Sequence, residues 1–150
     1  MAIREIRTFD DPVLRKKCRK VEAVDSRIRQ ILSDMADTMY KTPNGGGLAA
    51  NQVGILKCLV VMDMGSGLYQ LVNPEIIDQS GEQLVTEGCL SFPGVWGELR
   101  RPQKVTVRAL NENGEEITFE AEDALAKCVC HELDHLDGIV FTDKVIRYIK

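Results

Sequence analysis

The chain has 150 residues, enough for one domain with a real core. Its hydrophobic share of 44%, charged share of 28% and net charge of −4 suit an ordinary globular protein and speak against nucleic-acid binding, which needs a basic footprint, while leaving room for docking onto RNA or a ribosome through a local basic patch. The longest apolar run, CLVVM at 58–62, is strand-sized, and charges in residues 1–10 stand where a signal peptide has its apolar segment, so neither a membrane span nor export is expected.

Residues 10–21, DDPVLRKKCRKV, read as a short helix, with Asp11 as cap and Pro12 at the tolerated first position. Over 25–41, Ile28, Ile31, Leu32, Met35 and Met39 fall on one stripe at helical spacing, which predicts a core-facing helix opened by Asp25 or Ser26. The TPNGGG segment at 42–47 breaks it. Two β-branched runs at 57–64 and 68–77 predict strands, and QSGEQ at 79–83 a turn. Alternating runs around Asn113-Gly114 predict a hairpin over 104–122. Residues 122–136 read as a helix ended by Gly138, and IVF at 139–141 as a last short strand. No repeat, low-complexity stretch or linker divides the sequence. The expectation is a single α+β domain over 1–150, with short, mostly antiparallel strands around the 122–136 helix and another helix towards the N-terminus.

That helix carries both histidines, His131 and His135, as H-E-x-x-H. Four residues apart on a helix, they lie about 6 Å along the axis and about 40° around it, so both rings can reach one ion. Glu132, turned by about 100° from His131, can approach a metal-bound water without being a ligand, as a general base must. Taken alone, the pattern also suits a solvated helix with two satisfied histidines. A catalytic site of this type takes three protein ligands and keeps one position open. The extended pattern with a third histidine fails at Phe141, and only Asp137 and Asp143 follow as acids, so a third ligand has to lie upstream.

Five cysteines, Cys18, Cys58, Cys89, Cys128 and Cys130, form no disulfide framework by count or spacing, and a reducing cytoplasm is the expected compartment. Cys130 points away from the metal face, and Cys128 shares that face but lies more than a turn too far back, which suits it to a wall of the site. Cys18 and Cys58 suit core or surface roles. Cys89, in EGCLSFPG, sits among turn-forming residues that free its thiol to project; a buried strand-edge cysteine is the other possibility. The block GGGLAANQVG at 45–54 offers close backbone approach and, in Gln52, a side-chain amide donor, but equally a plain flexible loop.

Taken together, Gly45-Gly46-Gly47-Leu48-Ala49-Ala50-Asn51-Gln52, Glu87-Gly88-Cys89-Leu90-Ser91 and His131-Glu132-Leu133-Asp134-His135 resemble, in order, the three motifs of the peptide deformylase family. The resemblance extends to the DPVLRKKC opening and the NPEI strand. It implies a hydrolase that removes the formyl group from the N-terminal formyl-methionine of nascent polypeptides, releasing formate. It implies one divalent ion per chain held by Cys89, His131 and His135, with Fe²⁺ as the physiological ion and Zn²⁺, Ni²⁺ or Co²⁺ able to replace it. A metal-activated hydroxide is then the nucleophile and Glu132 the general acid and base. Gln52 and the Leu90 N–H hold the oxyanion, and Gly45, Gly46 and Gly47 line an extended peptide. Val85 and Cys128 are candidate linings of a pocket for the methionine side chain, with plain core packing as the other possibility for both. The partners implied are the formylated nascent peptide and, transiently, the ribosome, with no DNA and no membrane.

Two positions depart from the family pattern: Cys130 stands where many members have glutamine, and Trp96 where some have arginine. The alternatives are another metal-dependent peptidase or acylamide hydrolase, or an inactive metal-binding relative. A structural metal site would be closed by four protein ligands, and the sequence offers three.

Overall fold

The computed structural model describes residues 3–42 and 46–149. The stripe at 25–41 forms helix α1, Ser26–Lys41, whose cap Asp25 accepts a hydrogen bond from the Ile28 N–H at 2.9 Å. The strands are β1 (Gly47–Ala49), β2 (Leu59–Met62), β3 (Tyr69–Ser80), β4 (Gln83–Cys89), β5 (Phe92–Arg101), β6 (Lys104–Leu110), β7 (Glu116–Glu122) and β8 (Arg147–Ile149). Helix α2, Asp123–Leu136, lies between β7 and β8 in the chain. Every strand pairing is antiparallel. One sheet runs β1-β2-β3-β6-β7 and the other β4-β5-β8. The chain is therefore α+β, as its sequence suggests.

Strand β2 shows how the core is arranged. All four of its residues are buried. Successive side chains of a strand point to opposite faces. Leu59 and Val61 pack with Leu32, Met35 and Met39 of α1, whereas Val60 and Met62 pack with Ala126, Val129 and Cys130 of α2. The larger sheet is thus covered by α1 on one face and α2 on the other, which explains an unbroken apolar run where a one-sided strand would alternate.

Two expectations need correction, and one hairpin escapes the sequence pattern. Residues 10–21 form only a 3-10 turn, Pro12–Arg15. The chain then runs extended, because its backbone finds tertiary partners: the Cys18 N–H donates to the Leu136 carbonyl (2.8 Å), the Arg19 N–H to Leu56 (3.0 Å), and the Cys58 N–H to Arg19 (2.8 Å). Residues 139–141 do not form a strand. Val140 and Phe141 are buried, Phe141 packing edge-on to Phe92, and a 3-10 turn follows at Phe141–Asp143. The last strand comes later, as β8 against β5. Finally, β4 and β5 form a long hairpin through a stretch where Gly88, Pro93, Gly94 and Gly97 mask the alternation. Among the described residues, no helix is long and apolar enough to cross a membrane.

Gly138 ends α2 in the left-handed conformation, with φ +76, and a Cβ there would stand 2.4 Å from the Arg15 carbonyl oxygen. The obstacle is backbone, so it cannot swing aside. Gly138→Ala is expected to lower unfolding stability by about 2 kcal/mol or more, read as a reduced urea midpoint.

Candidate active site

Helix α2 begins where Asp123, at φ +53, turns the chain out of β7; its N–H donates to the Gln103 carbonyl at 3.0 Å. Two turns later the buried face of α2 presents His131 and His135, with ring centroids 5.0 Å apart in an edge-on arrangement. Cys89 arrives from the smaller sheet. A register shift between Glu87 and Cys89 re-aims the end of β4, and Cys89 pairs with Phe92 across the Leu90-Ser91 turn. The Cys89 sulfur lies 3.3 Å from His135 Nε2, and one ligand atom from each of Cys89, His131 and His135 falls within 4.8 Å of the others. Two imidazoles and a thiol, soft and borderline donors, fit a divalent transition ion. With both rings neutral and the thiol ionised, the set carries −1 and leaves a divalent site at +1.

A buried ionic network stands behind His131. Its Nδ1 is 2.7 Å from Glu87 Oε1. Arg101 grips Glu87 through Nε to Oε2 (2.8 Å) and Nη2 to Oε1 (3.0 Å), and reaches Asp134 through Nη1 at 2.7 Å. Lys144 adds a further contact to Asp134 at 3.0 Å. A carboxylate accepting from Nδ1–H leaves Nε2 with its lone pair for an ion, and fixes the ring in place. Burial alone would raise the Glu87 pKa, but the hydrogen bonds from Arg101 and His131 outweigh it and hold it at about 2.

The other acid behaves oppositely. Burial pushes Glu132 up to about 7, against the pull of the neighbouring His131. Its Oε1 is buried with no hydrogen-bond partner among the described residues. Burial disfavours the His131 imidazolium, yet Glu132, Cys89 and Glu87 together raise its pKa well above the ordinary value. His135 is held neutral by burial and by His131. A divalent ion held by these residues would compete with the proton on His131, so its uptake would weaken as pH falls.

Gln52 follows β1 in a 3-10 turn, Ala50–Val53. Its Oε1 accepts from the Ala49 N–H at 2.9 Å, which turns Nε2 towards Ser91 Oγ (3.1 Å) and the Cys89 sulfur (3.5 Å). The adjacent Asn51 donates to the His135 carbonyl, tying this turn to α2. A cleft of about 470 Å³ opens over these groups. Its lining includes Gly46, Gly47, Gln52, Cys89, Leu90, Cys128, His131 and Glu132, so eight of the eleven sequence-derived site residues meet there. His135 lies behind it, fully buried. Gly45 is outside the described residues. Val85 does not line the cleft. It pairs with Leu99, two residues before Glu87, where the β4–β5 hairpin has already left the cleft wall.

Sequence reasoning gave no part to Glu87, Arg101, Met64, Phe92 or Lys127. The position of Glu87, two residues before a candidate ligand on a strand, was the available signal. Trp96 was noted only as a departure; its ring packs over Gly88, where an added Cβ would meet it at 2.6 Å.

The polypeptide deformylase family pattern matches residues 3–149. The chain belongs to the polypeptide deformylase family. It is 62% identical to peptide deformylase 2 of Clostridium acetobutylicum over the full length of both chains. It is 59% identical to the peptide deformylase of Acetivibrio thermocellus, over 99% of this chain and 87% of that one. The crystal structure of peptide deformylase from Thermotoga maritima superposes with a TM-score of 0.93 at 38% identity, covering 97% of this chain and 99% of that one. That of the Synechococcus elongatus peptide deformylase, in complex with actinonin, gives 0.91 at 40% identity over 95% and 78%. The family fold and this fold agree.

Proposed function

We propose that residues 1–150 act as one catalytic unit that hydrolyses the formyl amide of formyl-methionine at the start of nascent polypeptides, with Cys89, His131 and His135 holding the ion. The observation that carries this is the convergence of three donors from two separate elements within 4.8 Å, beside the buried carboxyl of Glu132, whose Oε1 has no hydrogen-bond partner among the described residues. A divalent ion so held acidifies water and polarises a carbonyl oxygen. Fe²⁺ is the proposed physiological ion, with Zn²⁺, Ni²⁺ or Co²⁺ as replacements, because the mixed sulfur and nitrogen set accepts them all.

The chain's own groups do the rest. Glu132 takes the proton that water loses as it adds to the formyl carbon, and returns it to the departing amine nitrogen. Burial, which raises its pKa, suits a group that must do both. Gln52 Nε2 and the Leu90 N–H donate to the formyl oxygen as charge builds on it. Strand β1 is the edge of its sheet, pairing among the described residues only with β2, so Gly47 can take up an extended peptide by backbone hydrogen bonds. Cys128 and the apolar side chains of Leu90, Phe92, Val95 and Trp96 receive the methionine side chain. The enzyme works in the cytoplasm and touches the ribosome transiently.

The test is anaerobic assay with Fe²⁺ on a formyl-Met-Ala-Ser peptide. Formate appears and no internal bond is cut; internal fragments, or no formate at all, would refute the assignment. A Cβ at residue 47 would stand 2.7 Å from Glu132 Oε2 and 2.9 Å from the Cys128 sulfur. Gly47→Ala is therefore expected to lower kcat/KM on the order of 10²-fold, since a displacement of about 1 Å at a reacting group has that effect.

A further inference from the structure

The charge of this chain is unevenly distributed. Residues 15–29 hold seven cations and two anions, +5, so the rest of a −4 chain carries −9. Five of the six residues from Arg15 to Lys20 are cationic. Like charges this dense repel one another, and a surface with no use for them would disperse them.

The backbone beneath them is fixed. Leu14 and Cys18 are buried, and the main chain is bonded to Leu136, Leu56 and Cys58. Asn73, itself at φ +52, closes the segment by accepting from the Val21 N–H at 2.7 Å and donating to the Val21 carbonyl at 2.8 Å. Lys16, Lys17, Arg19 and Lys20 are exposed on this ridge. A cleft of about 680 Å³ beside it is lined by Arg19, Lys20, Arg27 and Lys57, with Glu22 and Asp25 as the counter-charges. Among the described residues, only Arg15 of the ridge forms a salt bridge, to Asp143 at 2.6 Å. None of the cleft residues lines the catalytic cleft.

We propose that this ridge binds the phosphate backbone of structured RNA and that it is the surface through which the enzyme meets the ribosome. The inference rests on the proposed ribosome contact and supplies its place on the molecule. The bonded backbone needs no ordering on binding phosphate, so only the side chains lose freedom. Between Leu14 and Lys20 the apolar side chains are turned inward, so the ridge has no wedge for a lipid surface.

The experiment measures binding of the full chain to a short fluorescein-labelled RNA duplex, to purified bacterial ribosomes and to vesicles rich in phosphatidylserine. Four neutralised phosphates give a log–log salt slope of about −4, so RNA affinity should fall roughly 10²-fold between about 50 and 200 mM salt. The triple variant Lys17→Glu, Arg19→Glu, Lys20→Glu should bind RNA and ribosomes tenfold or more weakly, by the same electrostatics. Its formate release from a short peptide should match wild type. Arg100→Glu, on the other sheet, should leave RNA binding unchanged. Equal binding by wild type and the triple variant, salt-insensitive binding, or preference for vesicles over RNA would overturn the proposal. So would a loss of short-peptide activity in the triple variant that matches its loss of binding. Absence of formate release by the wild type would instead sink the catalytic assignment, and the RNA measurements would still stand.

Discussion

Glu132→Gln is expected to lower formate release by roughly 10³-fold, within the range that a positioned acid–base supplies. The same variant should keep its metal and its fold. Glu132 is buried, its Oε1 meets no partner among the described residues, and burial already drives its carboxyl up to about 7. A neutral amide removes a charge that the interior tolerates poorly, so unfolding stability should stay level or rise. Formate release, metal content and thermal unfolding measured on one preparation separate these effects. Near-normal turnover would show that the proton passes elsewhere.

Arg101→Met should harm the protein differently. Both partners of the Arg101–Glu87 pair have side chains only 2% exposed, and Arg101 also holds Asp134. Removing one partner leaves a buried carboxylate uncompensated, at a cost of about 3–5 kcal/mol. Glu87 also orients His131, so metal affinity should drop roughly 10–100-fold, as it does when such outer partners are lost. The effect depends on pH. The folded pKa of Glu87 is depressed from 4.5 to about 2, so the pair contributes fully above pH 4.5 and loses its contribution as pH falls towards 2. The stability gap between wild type and variant should therefore be widest above pH 4.5 and narrow below it. Chemical denaturation at several pH values checks this; a gap independent of pH would remove Glu87 from the explanation.

The parts legible in the sequence were those with local periodicity. The stripe in α1, the turn at Asn113-Gly114 and the spacing of His131 and His135 are all set within a few residues. The H-E-x-x-H spacing placed two donors on one face before any fold was known. Cys89 is different. Forty-two residues separate it from His131, and its part followed from the ordered set of three motifs rather than from local pattern. The ion pair behind His131 was out of reach, because Glu87 and Arg101 meet only through the register of a hairpin interrupted by glycine and proline. The segment after Leu14 shows propensity overridden. Residues that can make a helix run extended instead, since the end of α2 and the approach to β2 offer their backbone better partners.

The most direct test is titration of the metal-free chain with Co²⁺, read by absorption. One ion per chain should bind, with a sulfur-to-cobalt charge-transfer band in the near ultraviolet. That band should vanish and affinity collapse in Cys89→Ala, while Cys58→Ala behaves as wild type. A band that persists unchanged in Cys89→Ala would contradict the account, because the sulfur on the ion would then come from another residue.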